Sequence, residues 1–187
     1  MGSVIRAAAL TPRPWPNGLG VTRDVAGQNQ RGAQFDWLIS VADLTVDAAF
    51  SHFPDCDRIF TLIEGGDVTL TLDGTFPMPC RMLIPACFPG DRPTFCTMGG
   101  GPARAFNVFV DRGRFNASVA AQTIAANHAI HTGATTAAIF CVGGHLSVGD
   151  DRLAPGDTIL GTGAALVRAA GAAALALVVE IETLGPA

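Results

Sequence analysis

The sequence predicts an all-β chain made of two antiparallel β-barrel or jelly-roll halves stacked in one molecule. Three observations predict it. Gly 22 and Pro 12 fall between short apolar segments, as turn residues do between strands. All 12 basic residues are arginine, and glutamate occurs only at Glu64, Glu180 and Glu182, so the usual builders of a solvent-facing helix are scarce. One order of segments also occurs twice along the chain, and internal repetition is the strongest architectural signal a single sequence carries.

Taken in order, the candidate strands are Trp37 to Ala42, Arg58 to Glu64, Val68 to Leu72, Arg104 to Val110, Ala138 to Val142, Thr158 to Leu160 and Leu175 to Ile181. Each is short and rich in β-branched or aromatic residues. Asp73-Gly74 marks a hairpin turn after the third. Asn116 to His128 reads as helix by composition, with Thr123 and Ile124 leaving strand open. Ala169 to Ala176 is helical by propensity alone, but Gly171 and the following Leu-Val-Val favour a turn running into a strand.

The repeat is specific. Ile59-Phe60-Thr61-Leu62 leads to Gly65-Gly66, then Val68 to Leu72, Pro89-Gly90-Asp91, a glycine turn at Gly99 to Gly101, and Ala105 to Val110. Ile139-Phe140-Cys141-Val142 leads to Gly143-Gly144, then His145 to Val148, Pro155-Gly156-Asp157, a turn at Gly171, and Leu175 to Ile181. Each run is similar to one cupin, so the expected architecture is a bicupin with halves at 1–115 and 116–187, each covering a face of the other.

Composition excludes several chemistries. With 187 residues, 49% of them apolar and 15% charged, the chain has ample material for a core and no signature of disorder. Lacking lysine, it has neither a Schiff-base lysine nor a P-loop lysine, and lacking tyrosine it has no tyrosine acid, base or nucleophile. A net charge of -4 without a basic run argues against nucleic acid as a partner. The five cysteines are odd in number and contain no CxxC pair, which argues against a disulfide framework or a structural zinc. The N-terminal apolar run is broken by Arg6 and is too short for a signal peptide, and the longest apolar run, Ala169 to Val179, is too short to span a bilayer. The expectation is a cytoplasmic protein with no membrane partner.

No catalytic constellation stands out. Metal-binding cupins use an HxH pair with a carboxylate and a further histidine, but here the histidines are His52, His128, His131 and His145. His128 and His131 would share a helical face without a carboxylate beside them, and two histidines alone fall short of a ligand set. No metal and no cofactor are expected. Cys141 lies four residues from His145 with no third group to orient a nucleophile pair, so a buried structural thiol is the plainer reading.

The informative residues are polar groups inside apolar strands. Alternation puts Ser40 on one face with Leu38 and Ala42, and Arg58 on one face with Phe60 and Leu62. A charge on an apolar face is costly unless it is paired or holds an anion. Arg58 either pairs with Asp55, Asp57 or Asp91 as a structural ion pair, or serves as a fork for a ligand carboxylate.

Five ordered motifs between residues 14 and 112 then carry a resemblance. Pro14-Trp15-Pro16-Asn17-Gly18-Leu19-Gly20-Val21-Thr22-Arg23 is similar to a PW-K-NGGG-x-T opening. Phe35-Asp36-Trp37-Leu38-Ile39-Ser40-Val41-Ala42 is similar to W-R-[IL]-S-x-A, and Phe50-Ser51-His52-Phe53-Pro54-Asp55-Cys56-Asp57-Arg58 to FS-x-FPG-x-DR. Phe88-Pro89-Gly90-Asp91 is similar to F-x-GD, and Gly101-Pro102 with Phe106-Asn107-Val108 to the GP…[LF]NV block. Together they resemble the HutD/Ves family. The resemblance implies a metal-independent bicupin associated with histidine utilisation, binding a small acidic metabolite such as N-formyl-glutamate in a regulatory or flux-limiting role. It places Asn17, Ser40 and Arg58 in the pocket, with Asp91 and Asn107 near the barrel mouth. Pro16 and Leu38 stand where the family pattern has basic residues, and Arg23, Arg81 and Arg104 are the cations available to compensate.

The sequence therefore favours a binding protein over an enzyme. The alternative is a metal-independent isomerase or hydrolase acting on a small carboxylated substrate, with Asp91 or Asp57 as base. A homodimer is mildly favoured, because open sheet edges need covering.

Overall fold

Alternation of buried and exposed side chains runs through nearly every segment, as in Val68–Leu72, where Val68, Leu70 and Leu72 are buried and the two threonines between them are not. The computed structural model describes residues 2–15, 18–29 and 34–185. The chain begins with β1 (Ser3–Ile5) and a single 3-10 turn at Ala7–Ala9. Then come β2 (Pro12–Pro14), β3 (Gly20–Gln28), β4 (Trp37–Leu44), β5 (Ala48–Ala49), β6 (Cys56–Gly65), β7 (Val68–Leu72), β8 (Phe76–Cys80), β9 (Ala86–Pro89), β10 (Thr94–Met98) and β11 (Ala103–Asp111). The remainder holds β12 (Phe115–Ile124), β13 (Ala129–His131), β14 (Thr136–Gly143), β15 (Leu146–Val148), β16 (Asp151–Leu153), β17 (Thr158–Leu160), β18 (Leu166–Ala169) and β19 (Ala174–Thr183).

Two units result. The first runs from Thr11 to Asn116 and takes in the tail after Thr183. It has a six-stranded sheet, β2-β3-β4-β11-β6-β9, and a four-stranded sheet, β5-β10-β7-β8. Its core lies between them: Ala42, Phe60, Leu62, Phe88 and Ala105 from the larger sheet meet Val68, Leu70, Leu72, Cys80 and Cys96 from the smaller. The β7–β8 hairpin turns at Asp73 and Gly74, both at positive φ, as the Asp-Gly pair predicts. The strand β8 was not legible beforehand, because Pro77 and Pro79 interrupt it; it is an edge strand, the one place a sheet tolerates proline.

The second unit gathers the N-terminal segment up to Leu10 with Ala117–Glu182. Its sheets are β1-β17-β14-β19-β12 and β13-β18-β15-β16, enclosing Ile124, Ile139, Cys141, Leu146, Leu153, Ile159, Val167 and Ala176. β1 pairs with β17 (Val4 opposite Ile159), so the start of the chain is built into this unit. Helix was the compositional expectation over 116–128, and the structure corrects it. Residues 115–124 form β12, the neighbour of β19, with Ile124 buried in the core. Tertiary pairing overrides the alanine propensity there.

The repeat is visible in the topology. The order β4-β11-β6-β9 with β5-β10-β7-β8 recurs as β12-β19-β14-β17 with β13-β18-β15-β16. Equivalent glycines close both copies. Gly65, at φ +99, would bring a Cβ to 2.2 Å from Pro102 O, and Gly144, at φ +70, to 2.7 Å from Ala173 O. Only glycine fits where the strand after the glycine turn comes this near.

Candidate functional site

Three neighbouring strands of the six-stranded sheet carry the site. Ser40 of β4 stands opposite Asn107 of β11, which stands opposite Phe60 of β6. One step along, Leu38, Phe109, Arg58 and Phe88 form a second row across β4, β11, β6 and β9. Period two and register thus put Ser40, Arg58 and Asn107 on one face, as alternation predicted for Ser40 and Arg58 separately.

Arg58 is 5% exposed. Its Nε and Nη2 donate to Asn107 Oδ1 at 3.1 and 2.8 Å. Its Cζ lies 4.0 Å from the centre of the Phe50 ring, 4.9 Å from Phe109, 5.5 Å from Phe88 and 5.9 Å from Phe60. Aromatic faces attract a cation by about 0.5–2 kcal/mol each, which offsets part of its lost hydration. Among the described residues no carboxylate pairs with it. Burial pulls its pKa down to about 9, which leaves it charged at neutral pH. The nearby thiols supply no counter-charge: burial pushes Cys56 and Cys96 up to about 12 and Cys80 up to about 11.

The structural ion pair considered for Arg58 is therefore absent. Asp57 and Asp91 belong instead to Arg112, at 3.0 and 2.9 Å. The Arg112 hydrogen bond holds the Asp91 carboxyl below the usual carboxylate range, and Arg112 also donates to Cys56 O at 2.6 Å. This cluster fastens the β6, β9 and β11 ends together.

A cavity of about 60 Å³ opens over the inner face of the sheet. Arg58, Asn107 and Ser40 line it together with Leu38, Ala42, Phe50, Phe53, Phe109, Trp15 and Ser51. At its rim Arg13 Nη2 reaches both Asp24 oxygens at 3.0 Å, and Trp15 Nε1 donates to Thr22 Oγ1 at 2.6 Å. Ser40 is buried in the cavity lining. Of the predicted site residues, Ser40, Arg58 and Asn107 come together, Asp91 does not line the cavity, and Asn17 lies outside the described residues. Arg23 and Arg104 both bind Asp43 and are not in the lining. The aromatic wall was missed as a site, although Trp15, Phe50 and Phe53 sit inside the very motifs that carried the resemblance. Arg13 and Asp24 gave no sequence signal.

The wider hollow of about 470 Å³ beside Asp36, Asp55 and Arg114 is less suited to binding an anion, since its buried charge, Asp36, is already paired with Arg114. Cys141 donates to Gly144 O at 3.6 Å, and burial pushes its thiol up to about 11, which disfavours the thiolate form a nucleophile needs. Among the described residues no group of three or more His, Cys, Asp or Glu side chains is placed to hold a metal ion. Among the described residues no helix is long and apolar enough to cross a membrane.

The HutD family model matches residues 7–180. The chain belongs to the HutD family. An uncharacterised 21.2 kDa protein in the hutC 3′ region of Pseudomonas putida is 30% identical over 149 residues, which is 78% of this chain and 76% of that one. Protein Ves of Escherichia fergusonii is 28% identical over 140 residues, covering 74% and 72%. Among solved structures, HutD from Pseudomonas fluorescens SBW25, in a formate condition, superposes with a TM-score of 0.83 at 28% identity over 99% of this chain and all of that one. A cupin 2 conserved barrel domain protein from Leptotrichia buccalis, 9% identical with a TM-score of 0.63 over 96% of each chain, shows that this chain has the cupin fold.

Proposed function

We propose that this HutD family member is a bicupin that binds a small acidic metabolite through Arg58, in a regulatory or flux-limiting role in cytoplasmic histidine utilisation. One observation carries the reading: a buried guanidinium whose only hydrogen-bonding partner among the described side chains is a neutral amide. Burying a charge this way costs several kcal/mol of lost hydration, and a ligand carboxylate returns that cost as charge-assisted hydrogen bonds. Asn107 holds the fork in place by binding its Nε edge, and Ser40 offers a hydroxyl to the rest of the ligand. The two carboxylates that turnover would have used as bases, Asp57 and Asp91, are tied to Arg112, which favours binding over catalysis.

The test is a thermal-shift titration with N-formyl-L-glutamate, glutamate and butyrate. A carboxylate at about 100 times its dissociation constant adds about 2.7 kcal/mol, a rise of several degrees for a chain of this size. A saturable rise that disappears in a folded Arg58→Met variant is expected. No shift with any carboxylate at millimolar concentration, or an equal shift in Arg58→Met, would sink the reading.

A further inference from the structure

Among the described residues the cavity holds one usable positive charge. Of the charged groups that line it, Arg13 and Asp24 neutralise each other at the rim, both carboxylate oxygens lying 3.0 Å from the same nitrogen. Among the described lining residues Arg58 alone faces the interior as a cation without a carboxylate partner. The described wall beside it offers nothing to a second anion. Leu38 lies in the same row as Arg58, with only Phe109 between them, is 4% exposed, and packs with Cys56 and Phe109. Two ends remain for a ligand held by one carboxylate on Arg58. Its far end meets either this apolar wall or the closed Arg13–Asp24 pair. A second carboxylate would be desolvated without a partner at the first and would find no net positive charge at the second. A cavity of about 60 Å³ has room for a few water-sized groups, at roughly 10–15 Å³ for each, which favours a short ligand body beside Arg58.

We propose that the Arg58 cavity selects monocarboxylates with a short uncharged body and discriminates against dicarboxylates. This rests on the carboxylate-binding reading above and narrows its ligand class: an N-acyl amino acid with a neutral side chain fits better than one with an acidic side chain. Ser40 and the rim hydroxyl of Thr22 serve neutral acceptors such as an amide or formyl oxygen, which need no counter-charge.

Matched pairs test it on the intact protein. Calorimetric titration would compare butyrate with succinate and N-formyl-L-glutamine with N-formyl-L-glutamate at pH 7.5. Within each pair the body is nearly conserved and only the second charge differs. The expected result is tighter binding of the monocarboxylate by about 10-fold or more, the difference one charged hydrogen-bonding group makes. Equal or tighter binding of the dicarboxylates overturns the selectivity while leaving the carboxylate reading intact. Binding of no carboxylate at all, or binding that survives Arg58→Met, overturns both. Leu38→Arg locates the discrimination: in a folded variant the ratio should fall to near one, and an unchanged ratio would remove Leu38 from the explanation. Should that variant not fold, the wild-type ratios decide the proposal by themselves.

Discussion

Arg58 Nε and Nη2 both close on one oxygen, Asn107 Oδ1, from the neighbouring strand. The contact is an amide standing where a carboxylate would neutralise the charge. It fixes the guanidinium in the aromatic cage without satisfying it. The remaining edge faces the cavity, and on the proposed reading it is there that a ligand carboxylate would compensate the buried cation.

Asn107→Asp should therefore give the chain its own counter-ion. The variant keeps the shape and the acceptor oxygen but adds a charge next to Arg58. Carboxylate affinity is expected to fall by about 10- to 100-fold, since the incoming anion competes with an internal one. The melting temperature without ligand should hold or rise. Calorimetry and a melting curve check the two halves separately. Unchanged affinity in a folded Asn107→Asp would mean that ligand charge is not what Arg58 recognises.

Much of this was legible in the sequence, and the reason is period. Alternation over Trp37 to Ala42 and Arg58 to Leu62 needs no partner strand to put Ser40 and Arg58 on inward faces. The repeat was legible because Gly65 and Gly144 stand where a Cβ would meet backbone, so the glycines mark corresponding turns. What alternation cannot give is register across the sheet. Whether Asp91 or Asn107 meets Arg58 depends on which strands pair, and Arg112 captures Asp91 at the start of β6 beside Asp57, which alternation turns to the opposite face from Arg58. The strand β12 was obscured for a related reason, as its alanines say helix and only its neighbour β19 says strand.

Backbone crowding separates the glycines. Gly65→Ala meets both a positive φ and Pro102 O at 2.2 Å, whereas Gly74→Ala meets the φ penalty with nothing within 4 Å. The strain at a positive φ costs about 1–2 kcal/mol, and the clash at Gly65 adds to it. Chemical denaturation should show Gly74→Ala losing about 1 kcal/mol and Gly65→Ala losing clearly more. Equal losses would mean that the β6 turn relaxes freely.

The thiols make a direct probe of burial. Cys56, Cys80, Cys96 and Cys141 are buried and Cys87 is exposed. Burial also raises the pKa of all five, Cys87 included. A thiol reagent at pH 8 should label one group per folded chain, removed by Cys87→Ser, and label the other four only as the chain unfolds. Fast labelling of a second thiol would show a unit opening at low free-energy cost.

Asp157 anchors the start of the chain. It accepts hydrogen bonds from the Ala7 amide at 2.9 Å, the Ala154 amide at 3.1 Å and Arg6 at 2.7 Å, just beyond β1. Burial pushes its pKa up, but the amides of Ala7 and Ala154 and the Arg6 guanidinium more than offset this, so the carboxyl sits below its ordinary 3.8. A depressed carboxyl stabilises the fold fully above the unfolded value and loses that contribution as pH falls through the folded one. Hydrogen exchange at Val4 and Ile5, corrected for intrinsic rate, should be steady from pH 7 to 5 and loosen only below about pH 4. Asp157→Ala strips the acceptors from both amides and should weaken protection by about 1–3 kcal/mol at every pH. Asp157→Asn keeps the Ala7 bond through its one oxygen but loses both the Ala154 amide bond and the attraction to Arg6, which shared the other oxygen. Arg6 is half-exposed, so its part of the loss should be about 1 kcal/mol or less, the lost amide bond adds about 1 kcal/mol, and the acid step should vanish. An acid step that persists in Asp157→Asn would assign the titration to another carboxyl and free Asp157 from the role given it here.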